Sequence, residues 1–320
     1  MVEYDLKSRL GAYPSPWDYR HYRVERATLL QVAQLPTEYA ELLKYAPDGI
    51  FGDISKEHPD QGEIGSCVGH DGAIVLEATN NIEDKGFKDL SAWWAYHRSR
   101  YYASVPDWQE GSTNLGLMKA LNKEGIVPEV DCPTPKKPQS FGCDVKAGLE
   151  VAKNWAVDQY WNVNSNPNDV KAAIYGLTHE YPYKMIDGSP GKGPLVSAFP
   201  VYSSFEESYD DGIVPMPKSG EQLLGGHSSP IFGWKIIDDK EYYINYGSWG
   251  DDVADDGVFY IPTNYPFYSS DWFLVHNGSP TNTPEPIPSP CQVGQAWANI
   301  NNLIPEILGR EGRFYYLNRR

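Results

Sequence analysis

The stretch DQGEIGSC, residues 60–67, carries the strongest chemical signal in this sequence. The residues after Cys67 are largely apolar and predict a buried helix over residues 66–80, with the cysteine in its first turn. The first turn lies at the positive end of the helix dipole, which favours the thiolate over the thiol. Because the thiolate is the form that attacks a carbonyl, we predict that Cys67 is a nucleophile.

An attacked carbonyl also needs hydrogen-bond donors for the negative charge that develops on its oxygen. The backbone N–H of Cys67 and the side-chain amide of Gln61 can supply two of them. Gly65 lets a substrate backbone approach the start of the helix, and Ser66 lies beside it, so both are candidate substrate contacts. A lone cysteine before an apolar helix is usually structural, but the surrounding Gln-Gly-x-x-Gly-Ser-Cys pattern weighs against that interpretation here.

This stretch resembles the papain-like cysteine peptidases, in which the nucleophile follows an oxyanion-hole glutamine by six residues. The resemblance implies that Gln61 is that glutamine and Cys67 that nucleophile. Two positions depart from the family pattern. Ile64 stands where the signature often has a second cysteine, and Val68 stands where it usually has tryptophan.

A second block, LGGHS at residues 224–228, resembles the family's Gly-His-Ala block before a strand that starts at residue 229. The resemblance implies that His227 takes the thiol proton and later gives it to the leaving amine. Gly226 lies next to this base. Gly111 lies where relatives have a glycine-rich loop that pairs with the substrate backbone. Both glycines are therefore candidate substrate contacts.

The third block, YYINYGSWG at residues 242–250, resembles the family's Asn-Ser-Trp-Gly block, with Gly247 at the asparagine position. Trp249 matches the tryptophan that shields the histidine from water. Asn245 lies two residues upstream, on the same side of a strand, and a local bulge could bring it nearer to His227. Otherwise a water or a backbone carbonyl orients His227, or the enzyme is impaired.

The order of predicted elements indicates an α+β protein. Helices are predicted over residues 66–80, 90–104 and 113–124, and strands over residues 195–202, 229–237, 241–246 and 257–261. A hairpin turn is predicted at residues 238–240. Such segregation favours two packed halves, and the resemblance implies a helical half, an antiparallel β-barrel-like half and an active-site cleft between them.

Three regions are predicted along the chain. Residues 1–48 form an N-terminal arm that packs on the catalytic domain, and residues 49–278 form that domain. Residues 279–320 hold a Pro-rich linker and an aromatic, arginine-containing tail. We interpret this tail as a docking segment for a protein partner, although a frayed tail explains it equally well.

Composition excludes several classes of function. A net charge of −16 argues against a nucleic-acid partner and against binding to anionic membranes. The N-terminus has no signal peptide pattern and no segment reads as a membrane span. Cys132 and Cys143 either pair across a Pro-rich loop or remain thiols in a reducing cytoplasm. The absence of a Cys-x-x-Cys pair argues against zinc, and we expect no metal and no cofactor.

The residues and the resemblance together predict a cysteine-type endopeptidase that hydrolyses a peptide or protein substrate. Acyl transfer to an amine would use the same residues, so the sequence does not separate the two reactions. The alternative, motivated by Gly247, is an impaired protein that acts as a structural or binding part of a larger assembly such as a virus particle. The expected location is the cytoplasm or such an assembly.

Overall fold

The computed structural model describes residues 6–18, 23–24, 26–47, 57–83, 85–177 and 192–276. The arm predicted over residues 1–48 is therefore described in part. The linker and tail predicted over residues 279–320 lie outside the described residues, and their roles stay predictions.

Six α-helices occur in the described part of the chain. Their bounds are Leu29–Val32 (α1), Cys67–Ile82 (α2), Ala92–Ala103 (α3), Asn114–Lys123 (α4), Val145–Ala152 (α5) and Pro167–Tyr175 (α6). The three predicted helices are confirmed as α2, α3 and α4. Two of them begin where a hydroxyl caps the first turn, because Ser91 accepts a hydrogen bond from the Trp94 amide and Thr113 accepts one from the Gly116 amide, both at 3.0 Å.

Seven strands pair in antiparallel fashion within the described ranges. Their bounds are Gln159–Asn162 (β1), Ala198–Tyr202 (β2), Leu223–Ser228 (β3), Ile231–Ile237 (β4), Lys240–Tyr246 (β5), Val258–Pro262 (β6) and Phe273–His276 (β7). The four predicted strands correspond to β2, β4, β5 and β6. The predicted hairpin turn is confirmed between β4 and β5, where Asp238 and Asp239 have φ values of 48° and 61°.

One local prediction needs correction. We expected His227 to precede a strand starting at residue 229, but His227 lies within β3, and β4 starts only at Ile231. Pro230 separates the two strands because proline cannot donate to a sheet ladder. β3 was missed because Gly225 and Gly226 disfavour the strand conformation in isolation.

The strands form three small sheets and not a closed barrel within the described residues. Their orders are β4–β5–β6, β2–β3 and β1–β7. Isolated bridges connect Leu195 to Ile231 and Val196 to Phe273. The α+β class is confirmed, whereas the barrel-like description is too strong for the sheets observed.

Helix α2 lies at the centre of the molecule and contacts α3, α4, β3 and β7. Close approach to α3 depends on Gly69, where a Cβ would lie 2.3 Å from the Ala92 carbonyl oxygen. Nearly every side chain of α2 is buried, which agrees with its apolar composition. The start of α2 therefore faces β3. No helix in the described ranges combines the length and the apolar character needed to cross a membrane.

Candidate active site

Cys67 is the first residue of α2 and is fully buried. Ser66 is the N-cap residue, and its amide donates to the Ile64 carbonyl at 2.7 Å, which fixes a tight turn into the helix. Backbone amides of Ser228 and Gly11 interact with the Cys67 sulfur. The thiol therefore lies between the start of α2 and strand β3, beside the residue that follows His227.

His227 lies on β3 opposite Phe199 of β2 and is held by aromatic rings. Its imidazole lies 5.7 Å from the Phe199 ring and 4.5 Å from the Trp249 ring, centroid to centroid. Its Nδ1 is buried and has no hydrogen-bond partner within the described ranges. Packing against Phe199 and Trp249 therefore orients this imidazole in place of a hydrogen bond.

Gln61 is fully buried, and four hydrogen bonds fix its side-chain amide. Its Oε1 accepts from the Ser248 hydroxyl at 2.8 Å and from Trp249 Nε1 at 3.1 Å. Its Nε2 donates to the Ile64 carbonyl at 2.7 Å and to the Arg9 carbonyl at 2.9 Å. A backbone carbonyl from the N-terminal arm thus occupies the donor that we predicted for a substrate oxyanion.

The N-terminal arm forms a 3-10 helix over Leu6–Arg9, and the residues that follow pair their backbone with β3 and with Ser112. The Ala12 amide donates to the Gly226 carbonyl at 3.0 Å, the Ser112 amide donates to the Gly11 carbonyl at 2.8 Å, and the Tyr13 amide donates to the Ser112 carbonyl at 2.8 Å. Ala12 and Ser112 form a parallel bridge. The arm lies against Cys67 through the Gly11 amide and against Gly226, the neighbour of His227, and so contributes to the burial of both candidate residues.

The three predicted substrate-contact glycines all lie against this arm. A Cβ on the arm's Gly11 would lie 1.9 Å from the Gly65 carbonyl oxygen, so these two backbones are in direct contact. Added Cβ atoms at Gly111 and Gly226 would lie 2.5 Å and 2.1 Å from arm carbonyl oxygens. The structure therefore brings these glycines together around a peptide backbone. Arg9 of the arm also donates its Nη1 to the Trp249 carbonyl at 3.4 Å, whereas Ser66 has no hydrogen bond to the arm among the described residues.

Asp271 anchors the arm, and sequence reasoning missed it. Both Asp271 carboxylate oxygens accept from Ser15, one from its amide at 2.9 Å and one from its hydroxyl. The Ser15 hydroxyl in turn accepts from the Leu115 amide at 2.9 Å. Burial raises the pKa of Asp271 to about 6. No local pattern around Asp271 signals this contact, because Ser15 lies 256 residues away in the chain.

Burial keeps Cys67 and His227, the candidate nucleophile and base, neutral. It raises the pKa of the Cys67 thiol to about 11, although the Ser228 and Gly11 amides oppose the shift. Burial, together with the nearby His70 and Arg9, lowers the pKa of His227 to about 3. Around pH 7 the covered site therefore holds a thiol and a neutral imidazole. Removing the arm would restore water to both groups and reverse the main cause of each shift.

A buried carboxyl group lies one helical turn after the nucleophile. Asp71 Oδ2 accepts from the Ser228 hydroxyl at 2.6 Å and from the Ser197 amide at 3.3 Å. Burial raises the pKa of Asp71 well above its ordinary value, although the hydrogen bonds from Ser228 and Ser197 oppose the shift. The sequence analysis did not name Asp71. Its position four residues after Cys67, which puts it on the same helix face, could have indicated that it lies near the site.

The position at which the family has asparagine is Gly247, which has no side chain that could contact His227. Asn245, our sequence candidate, accepts from the Ser229 hydroxyl at 3.0 Å and donates to the Pro230 carbonyl at 3.1 Å. No hydrogen bond joins it to His227 in the part of the chain that the structure describes. Gly247 donates its amide to the Gly257 carbonyl at 3.0 Å and so continues the strand pairing. The structure does not support Asn245 as the group that orients His227.

Restoring the family asparagine is expected to destabilise the protein without raising kcat. A Cβ at Gly247 would lie 2.8 Å from the Gly257 carbonyl oxygen and 3.1 Å from the Phe259 ring. Gly247→Asn should therefore cost about 1–3 kcal/mol of unfolding free energy. Thermal unfolding and kcat are measured beside Gly142→Asn, whose added Cβ meets nothing within 4 Å. A rise in kcat for Gly247→Asn would show that packing alone does not orient His227.

No group of three or more metal-ligating side chains occurs among residues 6–276 outside the undescribed gaps. The chemistry that the described residues can carry is nucleophilic attack by a thiol, proton transfer by an imidazole and stabilisation of an oxyanion by an amide.

Comparison with known proteins identifies the relatives of this chain. The family model described as papain family cysteine protease matches residues 53–268. A peptidase C1-like protein of Acanthamoeba polyphaga mimivirus is 36% identical over 229 residues, which is 68% of this chain and 70% of that protein. A gut-specific cysteine proteinase of Caenorhabditis elegans is 24% identical over 226 residues, 63% of this chain but only 62% of the nematode protein.

Solved structures show the same fold. Xylellain, a cysteine protease from Xylella fastidiosa, superimposes with a TM-score of 0.68 at 23% identity, over 85% of this chain and 97% of that one. Procathepsin B from Trypanosoma congolense superimposes with a TM-score of 0.61 at 17% identity, over 84% and 86% of the two chains. At these identities the likeness concerns the fold alone.

Proposed function

Because this chain belongs to the papain family of cysteine proteases, we propose that it is an endopeptidase with Cys67 as nucleophile, His227 as general base and acid, and Gln61 as oxyanion donor. The observation that carries the proposal is the Gln61 amide, which already binds a peptide carbonyl, that of Arg9, at 2.9 Å. After this contact the arm continues through Gly11 and Ala12, whose backbone groups pair with Ser112 and Gly226, so the groups around Gln61 bind a peptide main chain as a peptidase requires.

In the proposed reaction the Cys67 sulfur attacks the carbonyl carbon of the scissile bond while His227 takes the thiol proton. The carbonyl oxygen becomes negatively charged and accepts from Gln61. The C–N bond then breaks, and His227 gives its proton to the leaving amine. Water attacks the resulting thioester with His227 as base, which releases the acid and restores the thiol. An amine in place of water would give transpeptidation instead.

The arm must leave before this reaction can start. It occupies Gln61 through the Arg9 carbonyl, covers Cys67 through Gly11 and pairs with Gly226 through Ala12. A substrate needs these same groups. We therefore regard the described structure as a latent form of the protease. The side chains that set its substrate preference would then line the part of the cleft that the arm covers.

The second candidate function is a binding or structural role without turnover. Gly247 and the unpartnered Nδ1 of His227 favour it, because both remove the usual means of orienting the base. Against it stands the retention of Gln61, Cys67 and His227 together, since a role in binding alone does not require these three groups.

Labelling of Cys67 separates the two candidates. Full-length protein is treated with iodoacetamide or an E-64-type epoxide from pH 4 to pH 9, modification of Cys67 is followed by mass spectrometry, and hydrolysis of fluorogenic peptides is measured in parallel. An active protease is expected to lose hydrolysis in proportion to Cys67 labelling, with labelling at mildly acidic pH once the arm opens. Labelling that never exceeds the rate of free cysteine, with no hydrolysis, both in wild-type protein and in Gly11→Ala, whose added Cβ should lift the arm, would favour the binding role.

A further inference from the structure

Residues 132–143 form a loop that a disulfide closes and that packs on the turn carrying Gln61. Cys132 and Cys143 are bonded to each other, with their Cα atoms 5.6 Å apart. The Glu63 amide donates to the Lys136 carbonyl at 2.9 Å. The loop therefore contacts the turn of residues 60–64 through its backbone.

Gly62 brings this turn and the loop into direct backbone contact. Its φ is +61°, a conformation that side chains disfavour, and an added Cβ would lie 2.0 Å from the Lys136 carbonyl oxygen. The Lys136 ammonium also lies 3.5 Å from Asp60, but its side chain is 68% exposed and the ion pair contributes little. Backbone packing and the Glu63 hydrogen bond, more than charge, connect the loop to the turn.

The other side of the loop is fixed to the start of α3. The Cys132 carbonyl accepts from the Ser91 hydroxyl, which is the α3 cap, and the Thr134 hydroxyl accepts from the Trp93 amide at 3.2 Å. Thr134 also donates its amide to Glu129 at 2.5 Å. The loop thus fixes the turn that carries Gln61 relative to the start of α3.

The direction of the Gln61 side-chain amide depends on the position of this turn. One Nε2 hydrogen must point at the substrate oxygen, while the other donates to the carbonyl of Ile64, a residue of the same turn, at 2.7 Å. Ser248 and Trp249 hold the Oε1. Ile64 stands where the family signature often has a cysteine, so the turn carries no disulfide of its own. A displacement of the turn by about 1 Å is enough to weaken an oxyanion contact strongly.

We propose that the disulfide-closed loop of residues 132–143 positions Gln61 for oxyanion stabilisation, with Lys136 as a positioning residue that acts through its backbone carbonyl. This inference rests on the proposed function of Gln61. It predicts that opening the loop impairs peptide hydrolysis more than it impairs the intrinsic reactivity of Cys67.

The test compares two reactions of Cys67 in the full chain. Hydrolysis of a fluorogenic peptide needs the oxyanion donor, whereas alkylation by iodoacetamide displaces iodide from a saturated carbon and needs none. The ratio of the two second-order rate constants isolates the oxyanion turn, because arm opening affects both reactions equally. In the double variant Cys132→Ser/Cys143→Ser the ratio is expected to fall about tenfold, less than the loss of a whole oxyanion donor.

Gly62→Ala disturbs the same contact from the other side and should lower the ratio similarly. Gly142→Ala is the matched control, because it lies in the same loop and its Cβ meets nothing within 4 Å. An unchanged ratio in both the double variant and Gly62→Ala would overturn the inference. If neither wild-type protein nor the Gly11→Ala variant, whose arm is expected to lift, hydrolyses peptides, the proposed function fails separately. Affinity for a peptide aldehyde, whose Cys67 adduct carries the same oxyanion, then replaces hydrolysis in the ratio.

Discussion

Cys67→Ala is expected to abolish peptide hydrolysis by the full chain, with a loss of more than about 10³-fold in kcat/KM. Cys67 is the free cysteine of the described residues, and it alone lies between the start of α2 and the residue following His227. An alanine cannot form the thioester on which the proposed reaction depends. Hydrolysis is measured with a fluorogenic peptide under conditions in which wild-type protein turns over.

The control must show that the fold survives. Cys67 is fully buried, so removing its sulfur leaves a small cavity and should cost about 1 kcal/mol of unfolding free energy. Thermal unfolding should therefore shift by only a few degrees. Cys67→Ser, which keeps the size of the side chain, should lose hydrolysis to a similar extent. Turnover by either variant at a rate near that of wild type would contradict the assignment of the nucleophile.

The sequence predicted elements whose signals are local. Helices α3 and α4 begin at Ser91 and Thr113, where capping hydroxyls precede regular helical patterns, and both were predicted to within two residues. The hairpin turn at Asp238 and Asp239 was also predicted, since such residues tolerate a positive φ. The block at residues 60–67 predicted a buried helix that starts at the cysteine, and α2 does begin at Cys67, because that pattern is a local property of the chain.

What the sequence did not reveal depends on contacts between distant segments. Nothing in residues 9–13 indicates that they lie in the cleft, because the amide and carbonyl groups that bind there belong to every residue. Ser15 pairs with Asp271, 256 positions away, and ordinary acidic residues give no sign of such burial. The choice between a disulfide and two thiols at Cys132 and Cys143 needed the 5.6 Å separation of their Cα atoms.

The active-site prediction was weakest at the third catalytic position for a related reason. Spacing placed Asn245 on a suitable strand, but its side-chain amide is hydrogen-bonded to the Ser229 hydroxyl and to the Pro230 carbonyl. Period-two alternation gives the side of a strand and not the partner that a side chain meets. The aromatic packing of Trp249 and Phe199 on His227 is a property of three segments, and local sequence does not encode it.

Gly11→Ala is expected to open the cleft and to raise both Cys67 labelling and peptide hydrolysis at least about tenfold near pH 6, which corresponds to about 1.4 kcal/mol. The added Cβ would lie 1.9 Å from the Gly65 carbonyl oxygen, a distance that two packed backbones cannot accommodate. The arm must then lift, which frees Gln61 from the Arg9 carbonyl and returns water to Cys67 and His227. With burial removed, the pKa of Cys67 falls from about 11 and the pKa of His227 rises from about 3.

These opposite shifts in pKa determine the direction in which the pH dependence of Cys67 labelling should move. In wild-type protein, labelling rises only at alkaline pH, because the covered thiol ionises late. In Gly11→Ala the rise moves to lower pH. Gly193→Ala is the matched control, since the nearest atom to its Cβ lies 3.8 Å away. Ser15→Ala, which removes one hydrogen bond to Asp271, should give a smaller change in the same direction. If both arm variants label and hydrolyse like wild type, the arm does not control access to Cys67, and the latent form would have to be abandoned.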